Sequence, residues 1–403
     1  MIKDSIIENT NLPDGWEIKA LGEACIINPK KSEVSDLSEN LLVTFLPMRD
    51  LGVAQKRITP VSSRLLSEVK GSYTYFKNND VILAKVTPCF ENGKLGIAVG
   101  LKNEIGFGSS EYMVIRAKKG ILSQYVFYVL TTDRFRNRGK ELMFGAVGLK
   151  RLSKDYVRDF LVPVPPLTEQ KQIVAIIDKA FAAIDTAKAN AEQNLKNAKE
   201  LFESYLQDVF ENKGDDWEEK TLNEISENLD KQRIPITKKD RKEGDIPYYG
   251  ASGIVDYVQD YLFDEELLCI SEDGANLLAR TYPIAFSISG KSWVNNHVHI
   301  LRLDNITSQY FIEYYLNSIK LDDYISGMAQ PKLNQTKLNK IPIPFPNLIK
   351  KQEKVVLKLD AMKAECKKLE AIYTQKIADL EEMKKSVLQK AFNGELKTEG
   401  VLV

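Results

Sequence analysis

Cysteine is scarce and scattered in this chain of 403 residues: Cys25, Cys89, Cys269 and Cys366 form no C-x-x-C pair. That spacing argues against a zinc knuckle or a disulfide frame and points to a reducing compartment. Net charge is missing too, since 56 Lys and Arg offset 56 Asp and Glu. A neutral chain does not coat nucleic acid by bulk electrostatics, although a local basic face remains open to it. Histidine occurs only at His297 and His299. With no Cys or further His nearby, zinc is not expected, and two residues on one strand face suit a polar surface reader better. No run approaches the ~18 apolar residues of a membrane span, and Met1-Ile2-Lys3-Asp4-Ser5 lacks the pattern of a secretion signal. The expectation is a cytoplasmic protein without membrane contact.

Proline and glycine are absent from residues 173–210, which are rich in the helix formers Ala, Lys, Glu and Gln. Apolar or small residues recur there by threes and fours at Ile177, Ala180, Ile184, Ala187, Ala191, Leu195, Ala198, Phe202, Tyr205 and Val209. A second stretch keeps the same schedule at Leu359, Met362, Cys366, Leu369, Tyr373, Ile377, Leu380, Lys384, Val387 and Ala391. Both are coiled-coil seams, and both contain two successive steps of four, a shared shift of phase. Helices of about 38 residues, roughly 57 Å long, are longer than a small domain needs. The second helix must run back along the first for the seams to meet, so the pair is expected to be antiparallel. Lys384, standing where the first helix has Phe202, is the one mismatch, and a fraying or solvated position is expected for it.

The two stretches belong to a longer internal repeat. Phe160-Leu161-Val162-Pro163-Val164-Pro165-Pro166-Leu167 precedes the first helix, and Ile341-Pro342-Ile343-Pro344-Phe345-Pro346-Asn347-Leu348 precedes the second. Asp178 matches Asp360, Leu206-Gln207 matches Leu388-Gln389, and Phe210 matches Phe392. Trp16-Glu17-Ile18-Lys19 and Trp217-Glu218-Glu219-Lys220 open the two halves. Such a long period fixes the architecture before any local reading. The segments between opening and proline run carry short β-rich stretches punctuated by Gly, Asn and Asp, such as Val81-Ile82-Leu83-Ala84 and Leu267-Leu268-Cys269-Ile270. Each ends in a helical piece, near Gln124 or Gln309. The fold class is therefore α+β, with two α/β domains separated by two long helices.

Catalytic chemistry is not apparent. Ala285-Phe286-Ser287-Ile288-Ser289-Gly290-Lys291-Ser292 fits a relaxed phosphate-loop pattern, but the next residues, Trp293 to His299, alternate like a strand instead of opening a helix. A nucleotide-binding protein using that run is one alternative function. A coiled-coil scaffold without a DNA role is another. No Ser/His/Asp or Cys/His constellation stands out, so no catalytic residue, metal site or cofactor site is assigned.

Binding features are stronger. Between Lys118 and Arg158 ten Lys or Arg stand against three acidic residues, interleaved with Tyr125, Phe127, Tyr128, Phe135 and Phe144. Basic side chains at that density suit phosphates. Lys231, Arg233, Lys238, Lys239, Arg241 and Lys242 form a smaller counterpart. Base reading calls for polar side chains on loops that can enter a groove. In the first domain the candidates are Lys85, Thr87, Asn92, Lys94, Ser109, Ser110, Lys150 and Arg151. In the second they are Tyr249, Ser252, Lys291, Asn295, Asn296, His297, Gln330, Lys332 and Asn334. Any of these can also serve merely to close a turn.

With its Trp-Glu openings, its Pro165-Pro166-Leu167-Thr168-Glu169-Gln170-Lys171-Gln172-Ile173 run and the looser copy before Lys351, the chain resembles the specificity subunit of Type I restriction-modification systems. The resemblance covers nearly the whole chain. It implies target-recognition domains at 1–165 and 214–347, spacer helices at 166–213 and 348–396, and a tail at 397–403. It further implies that each domain reads one half of a bipartite, asymmetric site in double-stranded DNA. The helices would set the spacer and dock two methyltransferase subunits, through which restriction and translocase subunits join. S-adenosylmethionine, ATP and magnesium would belong to those partners. Consistent with that division, the chain has no Asn-Pro-Pro-Tyr motif.

Overall fold

The computed structural model describes residues 12–58, 62–146, 148–327 and 329–398. The opening Met1 to Ser5, the loop residues Val147 and Met328, and residues 399–403 of the tail lie outside the described residues. The chain divides into two compact units, Met1–Asn190 with Lys376–Val403, and Ala191–Gln375. Each unit takes one sheet-bearing domain and parts of both long helices, because helix and domain share a core. In the first unit Ile173, Val174, Ile177, Leu388 and Ala391 lie in the same cluster as Leu83, Met113 and Tyr125. In the second, Leu206, Phe210, Val356 and Leu359 join Leu268, Ile270 and Phe311.

The long helices span Leu167–Glu211 and Ile349–Phe392. Every seam position from Ile177 to Val209 and from Leu359 to Ala391 is buried or half-buried, as the spacing predicts. Within the first unit the helices are antiparallel: Asp185 pairs with Lys384 and Lys188 with Glu381, so a step forward on one is a step back on the other. Lys384 is thus neither frayed nor simply solvated. Its ammonium meets Asp185 and lies 5.3 Å from the centre of the Phe181 ring, while its stem stays on the seam.

The repeated sequence signatures turn out to be partners in space. Strand Glu17–Ala20 pairs antiparallel with Leu161–Val164, and Trp217–Thr221 pairs with Pro342–Pro346. A two-stranded ribbon has a free edge along each strand, and prolines spaced by two can direct their missing N–H groups there. Immediately afterwards each long helix buries a glutamine. Gln170 Nε2 donates to the carbonyls of Pro165 and Gly120, and Gln352 Nε2 donates to that of Pro346. The amide oxygens accept from the Leu122 N–H and the Ser308 hydroxyl, at the starts of helices Ser123–Thr131 and Ile306–Ser318. Those shorter helices then send Tyr128 to Asp178 and Tyr314 to Asp360. The same polar contacts dock each domain on its helix.

The first domain holds a five-stranded sheet in the order Cys25–Ile27, Tyr112–Ala117, Val81–Ala84, Leu95–Ala98 and Gln55–Ile58, together with a four-stranded sheet. The second holds two four-stranded sheets, one ordered Glu227–Asn228, Val298–Arg302, Leu267–Ser271 and Ala285–Ile288. Val81–Ala84 and Leu267–Ser271 are buried along their whole length, as the apolar runs Val81–Ala84 and 267–270 in central strands should be.

Candidate nucleic-acid interface

Each buried central strand ends in a polar loop, and on each loop sits a turn-back of chain built in the same way. In the first domain, hairpin Phe144–Ala146/Leu149–Arg151 docks on the loop after Val81–Ala84. Val86 bridges to Arg151, the Leu152 N–H donates to the Lys85 carbonyl at 2.7 Å, and the Lys85 N–H donates to the Glu111 carbonyl at 2.9 Å. In the second domain, Ser326 and Lys332 bridge across a turn that docks on the loop after Leu267–Ser271. Asp273 bridges to Lys332, the Leu333 N–H donates to the Glu272 carbonyl at 2.8 Å, and the Glu272 N–H donates to the His297 carbonyl at 2.9 Å. A carboxylate then clamps the basic residue in each: Glu111 takes Arg151 through Nε and Nη2, and Glu272 takes Lys332 at 3.1 Å. Ser153 and Asn334 finally cap the short helices Lys154–Asp159 and Gln335–Leu338 that lead to the proline strands. The common pattern is basic residue, leucine, cap: Arg151-Leu152-Ser153 and Lys332-Leu333-Asn334.

Lys85, Thr87, Ser109, Ser110, Lys150 and Arg151 are therefore brought together. The Thr87 hydroxyl accepts from the Lys150 N–H at 3.0 Å and is 3.1 Å from the Gly148 carbonyl, and the Lys85 ammonium reaches the Ser110 carbonyl at 3.0 Å. The Lys150 side chain is exposed. Asn92 is exposed on the adjoining turn, whereas the Lys94 ammonium is drawn back to the Met48 carbonyl at 3.1 Å. In the second domain Asn295, Asn296, His297, Gln330, Lys332 and Asn334 gather on the corresponding loops. The Asn295 N–H bonds the Tyr249 carbonyl at 3.0 Å, and the Ser271 hydroxyl ties down Ala251 beside Ser252. His297 is exposed and lies 2.8 Å from Asp273, while Asn296, Gln330 and Ser252 face solvent. Thr87, Asn295 and Asn334 spend their side-chain oxygens holding the chain: Asn295 accepts from the His297 N–H at 2.8 Å and Asn334 from the Lys337 N–H at 3.0 Å.

Several expectations change. Lys291 is not brought to the others. It starts strand Lys291–Val294, with its ammonium over the Tyr261 ring, roughly 13 Å of strand from Asn295. The run from Ala285 to Ser292 forms two successive strands, Ala285–Ile288 and Lys291–Val294, with no helix to receive a phosphate. Tyr125, Phe127, Tyr128 and Phe135 are core residues, so among the aromatics of the basic stretch only Phe144 is strongly exposed. Arg233 and Arg241 are committed to Glu272 and Asp256.

The two histidines also part company. His297 precedes strand Val298–Arg302 at the surface, whereas His299 inside that strand is 1% exposed. Its Nδ1 faces Asp230 at 2.6 Å and its Nε2 faces the Leu333 carbonyl at 2.7 Å. The ring is thus held between two oxygens from separate segments of the chain. Asp230, Glu272 and His299 stand close enough to hold a cation. Arg233 already fills that role, with Nη1 2.7 Å from Glu272 Oε2 and 2.7 Å from the Val298 carbonyl. Nothing in the spacing announces Asp230, which lies 69 residues from His299.

This network makes a pH prediction. Burial pushes the Asp230 carboxyl up, but hydrogen bonding and charge from His299, the Ile300 N–H and Arg233 outweigh it and hold the group below its ordinary value. Glu272 is lowered against its burial in the same way, by Arg233, His299 and Lys332. A carboxylate depressed in the folded state contributes stability above its unfolded pKa and loses it as pH falls through the folded value. Thermal unfolding of the second unit should therefore shift to lower temperature as pH drops below about 4. Asp230→Asn should flatten that dependence, and an unchanged acid limb in the variant would contradict this role.

The family described as the Type I restriction modification DNA specificity domain matches this chain twice, over residues 13–197 and 214–381. The Type I restriction enzyme EcoEI specificity subunit of Escherichia coli is 33% identical over 196 residues, 48% of this chain and 32% of that protein. The EcoAI specificity subunit of Escherichia coli is likewise 33% identical over 196 residues, 48% of this chain and 33% of that protein. The match thus spans about a third of the length of each of these relatives. A Methanocaldococcus jannaschii protein designated a Type I restriction enzyme MjaX specificity subunit is 22% identical over 96% of this chain and 95% of its own length. Among solved structures, a chain from a study of complex assembly in a type I R-M system superposes with a TM-score of 0.77 at 18% identity, covering 96% of this chain and 99% of that one. The HsdS subunit from Thermoanaerobacter tengcongensis gives a TM-score of 0.66 at 18% identity, covering 96% and 98%. At that identity the structural likeness is one of fold. The two family matches, one over each half and together taking in most of the sequence, place this chain in the Type I restriction modification DNA specificity domain family.

Proposed function

We propose that this chain is the DNA-reading specificity subunit of a Type I restriction-modification complex and does no catalysis itself. Each recognition domain reads one half of a bipartite, asymmetric site, and the long helices set the spacer and dock two methyltransferase subunits. S-adenosylmethionine, ATP and magnesium belong to those partners and to the restriction subunits joined through them. One observation carries this reading. Both domains present a turn-back braced on the loop of a central strand, yet the exposed side chains differ, with Lys150 and Ser110 in the first and Gln330, His297 and Asn296 in the second. Like frames suit the same kind of ligand, while unlike side chains suit different base sequences. Among the described residues no helix is long and apolar enough to cross a membrane, which fits work on cytoplasmic DNA.

The test is binding by the chain with its methyltransferase subunits across a salt series. Lys150→Ala should weaken binding to all duplexes alike and lower the salt slope by about 1, as loss of one phosphate contact does. Gln330→Ala should relax discrimination in the second half-site and leave the slope unchanged. A complex that does not distinguish any duplex sequence would contradict the proposal.

A further inference from the structure

We propose that hairpin Phe144–Ala146/Leu149–Arg151 is an apolar wedge that the first domain sets into duplex DNA, with Phe144 and Leu149 as specificity-determining contacts. The inference rests on the DNA-recognition reading and adds a deformation step in the first half of the site.

Directly opposed residues of an antiparallel pair share a face. Phe144 stands opposite Arg151 and Ala146 opposite Leu149, so these four form one face, with Gly145 and Lys150 on the other. Arg151 is held by Glu111. What remains free on that face is apolar: Phe144 is 61% exposed and Leu149 51%. Exposed apolar side chains gathered on one small ribbon ask for an occupant.

The hairpin is braced rather than loose. Thr87 holds it through the Lys150 N–H and carbonyl, and its root residues Met143 and Leu152 are 7% and 2% exposed. Gly145 has φ +128°, and a Cβ there would stand 2.6 Å from the Leu149 carbonyl oxygen, so the tight pairing requires glycine.

Charge selects nucleic acid as the occupant. Lys150 is exposed on the opposite face, and Lys140 and Lys154, in the helices flanking the hairpin in sequence, are exposed too. Cations beside an apolar edge match a phosphate backbone beside a base stack. A two-stranded ribbon fits the major groove, where apolar side chains meet thymine methyls, and apolar wedges elsewhere enter base steps and kink the duplex. Among the described residues, the turn between Ser326 and Lys332 offers exposed Gln330 at the corresponding place and no exposed aromatic side chain, so the wedge is assigned to the first half-site.

The experiment uses the full chain with its methyltransferase subunits and duplexes carrying the mapped site, with 2-aminopurine replacing in turn each adenine in or beside the first half, the methylated base excepted because methyltransferases flip their target out of the stack. Binding of the unaltered complex should raise fluorescence several-fold at one step. Phe144→Ala with Leu149→Ala should abolish that rise and weaken binding about tenfold. Thermal unfolding should stay unchanged, since both side chains are exposed. Phe144→Leu should keep most of the rise, and Lys150→Ala should weaken binding without removing it. No rise at any position in the unaltered complex, or a double variant with the full rise and affinity, would overturn the wedge while leaving DNA recognition intact. A double variant that loses only its methyltransferase subunits would overturn it in favour of a protein contact. An unaltered complex that selects no duplex overturns the recognition reading as well.

Discussion

Four residues inserted after Ala191 in helix Leu167–Glu211 are expected to abolish methylation at the native site and create a new site with the same two halves and a longer spacer. Four residues lengthen a helix by about 6 Å, the rise of one to two base pairs. They turn it by little more than a full revolution, so the seam stays nearly in phase. Ala187, Ala191 and Leu195 already step by four, so the insertion repeats a shift of phase that the seam contains. Mapping methylated bases in cells carrying the variant checks this. Altered bases within either half-site, instead of an altered spacer, would show that the helix does not act as a ruler.

Arg233→Ala is expected to destabilise the second unit by about 3–5 kcal/mol, because it leaves buried Glu272 without its nearest cation and takes one of two cationic partners from Asp230. Asp230 and Glu272 have side chains only 7% and 12% exposed, and Arg233 Nη1 also satisfies the Val298 carbonyl. Glu272 holds Lys332, while the neighbouring His299 holds Leu333, so the loss should spread to the loops that carry His297 and Gln330. Reading of the second half-site should fail before that of the first. Arg233→Lys should recover only part of the stability, since a single ammonium cannot reproduce the guanidinium fork. Denaturant unfolding combined with methylated-base mapping tests both statements. A stability change under about 1 kcal/mol would mean that Lys332 and His299 hold the carboxylates by themselves.

The helices were legible because their signal is periodic and doubled: missing prolines, seams spaced by threes and fours, and matched landmarks such as Asp178 and Asp360. The paired proline strands were visible as motifs but not as partners, since strand pairing joins residues such as Glu17 and Val164 across more than a hundred positions. Loop candidates fared unevenly for a physical reason. Thr87, Asn295 and Asn334 have the chemistry of base readers, but the same short polar side chains are what turns and caps need. Tyr125 and Phe135 lay among basic residues in sequence, yet their helices face the core. His299 and Asp230 meet only because two strands and a short 3-10 turn bring them together, which no local pattern records. The pattern Arg151-Leu152-Ser153 and Lys332-Leu333-Asn334, by contrast, is present in the sequence. It takes its meaning from the bridges to Val86 and Asp273.

The central claim is that two like-built domains read two unlike half-sites. Methylated-base mapping in cells carrying this chain and its methyltransferase subunits tests it most directly. The account predicts modification at one bipartite motif, with two different halves at a fixed spacing, which disappears when the chain is deleted. A single contiguous motif, two identical halves, or modification that persists without the chain would contradict it.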